Sequence, residues 1–273
     1  MALSGLNLFL KTTRAKFSFS GISARNVHIS EVSKSAGGKT LADYIADKTP
    51  LFYRDLPKII DDLGDGYFVT TIKSTLAKLP TSESFQESHF GEIATGIFVE
   101  EVMGLRKLYS KLTLLTAENA NAFKMDLVLY RPTSDPIEFI FGEVKSSPKI
   151  SADGSPVGHH KSCFADIFTS MNKYGDDDLA FDLTAAKDHI QALPEVERNR
   201  IRKALMPYGD LIVSYAGFAI IDTTTKSDSE ISLLATRQNK KTFDVDVICV
   251  EEFPTVATSA YKRLEALRRA CSE

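Results

Sequence analysis

Cysteine is scarce. The 273 residues hold three, Cys163, Cys249 and Cys271, which are far apart and show no C-x-x-C spacing. An odd, scattered set argues against a disulfide framework and against a cysteine-based zinc site, and points to a reducing cytoplasm. Long apolar runs are missing too. No segment approaches a continuous apolar twenty-mer, so no membrane span is expected. The patch Leu6, Leu8, Phe9, Leu10 is interrupted by Asn7 and followed by Lys11 and Arg14, which is too short and too broken for a secretory signal. There is no excess of positive charge: the net charge is −3. A polycation that coats nucleic acid is thereby excluded, whereas a local basic patch suffices for DNA contacts. Internal repeats and low-complexity tracts are absent, which argues against a solenoid. What is present is ordinary: 43% hydrophobic and 25% charged residues, enough to bury a core without a disulfide or metal, in one large domain or two small ones.

The first 80 residues carry weak signals. Phe17, Phe19 and Ile22 hint at strand alternation, and Leu41 to Leu63 recurs at helical spacing with breaks at Pro50 and Pro57. Gly37-Gly38-Lys39-Thr40 imitates the end of a phosphate-binding loop. The full pattern needs glycine where Ser33 stands, and no apolar strand leads in, so the stretch reads as a loop whose Thr40 caps the next helix. From about Ser88 to Met103 a helix is expected, with Phe90, Ile93, Ala94, Ile97 and Val102 as its apolar stripe. Glu92 lies in line with Gly96, Val99 and Met103. It is either aimed into a site or a first-turn carboxylate favoured by the helix dipole. Lys107 to Thr116 reads as a strand with a basic, tyrosine-containing lead-in.

The chemistry concentrates in Phe123 to Ser147. A strand Lys124-Met125-Asp126-Leu127-Val128-Leu129-Tyr130 and a strand Ile137 to Lys145 flank a Pro/Ser/Asp turn. Paired as a hairpin about that turn, Asp126 and Glu143 are near neighbours to within a register step, and Lys145 shares the face of Glu143. Ionised groups in such apolar strands are costly to bury unless they pair or bind an ion. Two carboxylates side by side call for a cation between them, and an all-oxygen set suits Mg²⁺ or Mn²⁺ rather than zinc. Such an ion activates water and stabilises charge on a phosphate, with Lys145 placed to assist. The plainer alternative is a structural ion pair of Lys145 with Asp126 or Glu143.

After Lys145 the chain turns polar and basic (Lys149, His159, His160, Lys161) and reads as a loop. A helix is expected over Lys161 to Tyr174, broken by Asp176-Asp177-Asp178. Further helices are expected over Asp182 to Leu193, Glu195 to Met206 and Thr255 to Ala270, and strands over Leu211 to Thr223 and Phe243 to Val250.

Asp126, a short turn, and Glu143-Val144-Lys145 at the end of an apolar strand resemble the PD-(D/E)XK nuclease signature, with Met125 where the pattern has proline. The resemblance spans about residues 85–221. It implies an α/β fold with an α-β-β-β-α-β core, a central mixed sheet flanked by helices, and an N-terminal extension. Within it, Asp126 and Glu143 are metal ligands with the Val144 carbonyl as a third. Glu92 orients water or a second ion, and Lys145 is the catalytic lysine. Lys124, Lys149 and Lys161 become candidate phosphate contacts, whereas His159 and His160 read as loop-exposed.

The series Phe90-Gly91-Glu92, Met125-Asp126-Leu127 and Gly142-Glu143-Val144-Lys145-Ser146 is also similar to the HamA family, the nuclease subunit of Hachiman anti-phage defence. That resemblance implies DNA as substrate and a HamB helicase as partner, with the nuclease inactive until the helicase engages. It divides the chain into a family-specific region, 1–82, which is a candidate partner-binding unit, and a nuclease-like domain, 83–273. A nuclease-fold adaptor without catalysis is the alternative.

Overall fold

The computed structural model describes residues 5–12, 15–18, 24–54, 56–115, 125–147, 163–206, 209–225 and 238–270. In chain order the elements are β1 (Ala15–Ser18), β2 (Ala24–Val32), β3 (Ser35–Ala36), β4 (Lys39–Thr40), α1 (Leu41–Lys48), α2 (Pro50–Tyr53), α3 (Leu56–Gly64), α4 (Phe68–Leu76) and α5 (Glu83–Glu101). They continue as β5 (Arg106–Ser110), β6 (Leu127–Arg131), β7 (Glu138–Ser147), α6 (Cys163–Lys173), α7 (Asp176–His189), α8 (Glu195–Ala204), β8 (Ile212–Asp222), β9 (Phe243–Val250) and α9 (Phe253–Ala270).

One mixed sheet of seven strands, in the order β1-β2-β9-β8-β7-β6-β5, holds these elements together. β5, β6 and β7 are antiparallel neighbours. β7, β8, β9 and β2 run parallel. Parallel strands are covered on both faces, which is why β7 and β8 read as unbroken apolar runs. Alternation sorts their side chains. Ala219 and Ile221 pack in one core with Phe164 and Ile167 of α6 and Ile201 of α8, whereas Ile220 packs in another with Phe90 and Ile93 of α5 and Tyr261 of α9. From α5 onward the order is helix, three antiparallel strands, helix, and then, after α7 and α8, a parallel strand. The expected boundary at residues 82/83 falls at the start of α5. β2, from the N-terminal side, joins the same sheet by pairing with β9, Val27 opposite Val245.

Two glycines bring helices close to the centre of the sheet. A Cβ on Gly91 would lie 2.6 Å from Ser146 Cβ of β7, and one on Gly217 would lie 2.6 Å from Ile167 Cγ2 of α6. Their missing side chains let α5 and α6 press on opposite faces of β7 and β8. Gly91 directly precedes Glu92, so this close approach sets the depth at which that carboxylate enters.

Several sequence expectations shift. α5 begins at Glu83 rather than Ser88, which places Glu92 in the third turn, beyond the reach of an N-terminal dipole effect. The strand expected over Lys107 to Thr116 is shorter: β5 ends at Ser110 and a 3-10 turn takes Lys111–Leu114, with Ser110 Oγ accepting from Leu112 N at 3.2 Å. Asp176, Asp177 and Asp178 do not merely break a helix but start α7, where acids suit the N-terminus and Asp178 accepts from Gly175 N at 2.9 Å. Gly37 and Gly38 form the turn of the β3–β4 hairpin, both at positive φ, and Thr40 caps α1 by accepting from Asp43 N at 3.1 Å. Among the described residues no helix is long and apolar enough to cross a membrane.

Candidate active site

The hairpin forms as expected, and its pairing fixes the register step that the sequence leaves open. Leu127 stands opposite Gly142 and Tyr130 opposite Phe139, so the next step along the ladder sets Asp126 against Glu143. Asp126 itself lies one residue before β6 rather than within it. With no ladder partner there, its side chain takes over the backbone's role: Val144 N donates to Asp126 Oδ2 at 2.6 Å. In a strand the N–H and C=O of one residue face the same edge, so the Val144 carbonyl also faces Asp126. A second hold comes from behind. Asp182 of α7, fully buried, accepts from Tyr109 and Tyr174 hydroxyls at 2.7 Å each and from Met125 N at 3.4 Å. The backbone on either side of Asp126 is therefore tied down before any ligand arrives.

Glu143 is 7% exposed and takes a hydrogen bond from Lys145 Nζ. The two share the α6 face, as alternation requires. Burial raises the Glu143 pKa and Asp126 raises it further, with Lys145 and Lys111 opposing. Burial alone would lower the Lys145 ammonium, but Glu143 and then Asp126 outweigh it, so its pKa is raised and it stays charged.

Glu92 approaches from the α5 face and is 2% exposed. Its Oε2 is buried without a hydrogen-bond partner among the described residues. Between Glu92 and Asp126 stands a residue the sequence reading passed over. Lys111 Nζ pairs with Asp126 Oδ1 and lies 3.3 Å from Glu92 Oε1. The available signal is a lysine set among Leu108, Tyr109, Leu112, Leu114 and Leu115. The strand assignment there hid it, because a strand would carry the chain past the site. His89, one turn before Glu92, is a second addition. It is buried, its Nδ1 is 2.7 Å from Tyr53 Oη, and its pKa falls to about 4 through burial and the Lys111 charge, so it stays neutral. Lys124, Lys149, His159, His160 and Lys161 lie outside the described residues.

The donors suit a hard divalent ion: buried carboxylates, one with an unpaired oxygen, and a backbone carbonyl. Among the described residues no three His, Cys, Asp or Glu side chains gather closely enough to hold one ion. Asp126 and Glu143 are two, and Glu92 arrives from the other face of the sheet.

Burial pushes the Glu92 carboxyl up to about 8, with Lys111 opposing and Asp126 adding to the rise. Between its ordinary value of 4.5 and that raised value, the unfolded chain releases this proton while the native protein keeps it. Stability therefore falls as pH rises through this window. In chelated buffer, Glu92→Gln is expected to remove a pH 5-to-8 loss on the order of 3 kcal/mol. Denaturant titrations of both proteins at four pH values measure it. Parallel curves for the two would show that Glu92 is not held neutral.

No curated protein sequence matches the chain. The family model described as HamA does match, over residues 9–264, and so takes in α5, the β6–β7 hairpin, α6 and the whole sheet beyond. With nearly its full length matched, the chain belongs to the HamA family.

Proposed function

We propose that this protein is a divalent-metal-dependent DNA nuclease of the PD-(D/E)XK type, the effector of a Hachiman defence complex, active when a HamB-like helicase engages it. One observation carries the reading: Asp126 and Glu143 face each other across a strand pair, with Lys145 beside Glu143, at one end of a buried sheet. Membership of the HamA family supports the defence role and implies a partner, for which residues 1–82 are the candidate binding region.

Asp126, Glu143 and the Val144 carbonyl would hold Mg²⁺ or Mn²⁺. Bound there, the ion supplies Lewis-acid stabilisation of a phosphate oxygen and lowers the pKa of water. The chain's own groups do the rest. Lys145, kept charged by its two acidic neighbours, steers the attacking water and neutralises charge on the phosphoryl group. Glu92, whose buried Oε2 has no partner among the described residues, would orient that water. The water oxygen bonds to phosphorus as the ester P–O bond breaks, and the proton passes to the departing oxygen through solvent. His89, neutral and buried, adds no competing charge.

The test is cleavage of supercoiled, nicked and linear DNA with Mg²⁺ or Mn²⁺, with and without the helicase and ATP. Cleavage is expected with metal and helicase together, and loss of it in chelator. No cleavage of any DNA form under any of these conditions would overturn the nuclease reading. It would favour a non-catalytic adaptor that keeps the fold. The observation on the adaptor's side is Lys111, which already neutralises Asp126.

A further inference from the structure

We infer that Lys111 is a displaceable internal cation: its ammonium and a divalent ion are alternative partners for Asp126, so Lys111 sets how readily the site takes up metal. This rests on the metal-site reading given above.

Four observations carry it. First, Asp126 has two oxygens, and Oδ2 is fixed by Val144 N at 2.6 Å, so Oδ1 is the oxygen free to reach a cation, and Lys111 Nζ is on it. Second, the same ammonium stands 3.3 Å from Glu92 Oε1, so it bridges carboxylates from the two faces of the sheet. Third, Lys111 is not needed for the role of Lys145. Lys145 is engaged with Glu143, and each lysine has its own acid. Fourth, the ammonium can move without its backbone. Lys111 N donates to Asp126 O at 3.0 Å, and the 3-10 turn is capped by Ser110, so the backbone is anchored independently. The side chain is 19% exposed, which gives the head group a route to water along its flexible stem. A lysine head is a compact, strongly hydrated point charge and a fair chemical stand-in for a hard cation, where a planar guanidinium would not be.

The consequence is a threshold. Metal entry must break the Lys111–Asp126 pair, and the freed ammonium, repelled by a dication, turns outward into the region a polyanion would occupy.

The experiment uses the full chain stripped with chelator and Mn²⁺ as the probe. Calorimetric titration compares wild type, Lys111→Met, Lys111→Arg and Asp126→Asn. Removing one competing charge at contact range is expected to tighten Mn²⁺ binding of Lys111→Met by roughly 10-fold or more, with no gain for Lys111→Arg. In parallel, wild-type protein is pulsed with an amine acylating reagent and Lys111 modification is read by mass spectrometry. Saturating Mn²⁺ is expected to raise it several-fold. This second arm needs no variant to fold. Equal or weaker Mn²⁺ binding by Lys111→Met, or unchanged Lys111 labelling at saturation, overturns the inference. Failure of the metal-site reading looks different: Asp126→Asn would then bind Mn²⁺ as wild type does, and the exchange falls with it.

Discussion

Glu143→Gln is expected to lower phosphodiester cleavage on the order of 10³-fold, about 4 kcal/mol of transition-state stabilisation, while leaving the protein folded. The substitution keeps shape and volume and removes one charge. In chelated buffer it should cost little stability, because the native site works against ionised Glu143: burial and the neighbouring Asp126 both favour its neutral form. Lys145 loses its acid, but it is 29% exposed and can turn to solvent. Activity and stability are therefore expected to part company. Cleavage assays with the helicase present, together with denaturant unfolding of the same preparation, read both quantities. Near wild-type cleavage by Glu143→Gln would remove this residue from the chemistry. A collapse of stability would mean that its charge is structural, as in a simple ion pair with Lys145.

Asp126→Ala should fail in both respects. Asp126 is 1% exposed and serves two donors, Val144 N and Lys111 Nζ. Truncation leaves a buried N–H without an acceptor and an ammonium with only Glu92 beside it. Together these losses are expected to cost about 3–5 kcal/mol. Asp126→Asn separates the two roles. The amide oxygen still accepts from Val144 N, so part of the stability should return, on the order of 2 kcal/mol, while Lys111 remains without its acid. Cleavage should not return, since a neutral amide is a poor partner for a hard cation. Urea unfolding of the three proteins ranks them. If Asp126→Ala unfolds at the wild-type midpoint, Asp126 is not the anchor described.

Much of this site was readable because strand periodicity and hairpin symmetry are local rules. A turn at Arg131 to Pro136 with apolar runs on both sides brings Asp126 near Glu143 to within a register step, and the observed pairing of Leu127 with Gly142 fixes that step. The alternation that puts Lys145 beside Glu143 is equally local. The start of α5 was harder to read. Its buried surface is spread around the helix, with Phe90 and Ile93 in one core and Val99 in another, so no single stripe marks where it begins.

Pattern alone determined a mix of helices and strands and a hairpin that carries two acids and a lysine, because each depends on neighbours a few residues apart. Tertiary structure decided the rest. Glu92 enters the site because Gly91 lets α5 press onto Ser146, a contact between residues 55 positions apart in sequence. Lys111 joins the acids because β5 gives way to a 3-10 turn against the start of β6. Met125, the residue before Asp126, is held from behind by Asp182, a residue of α7 far along the chain. Such groups meet only when helices dock on the completed sheet, and burial then sets their charge, holding Glu92 neutral and Lys145 charged.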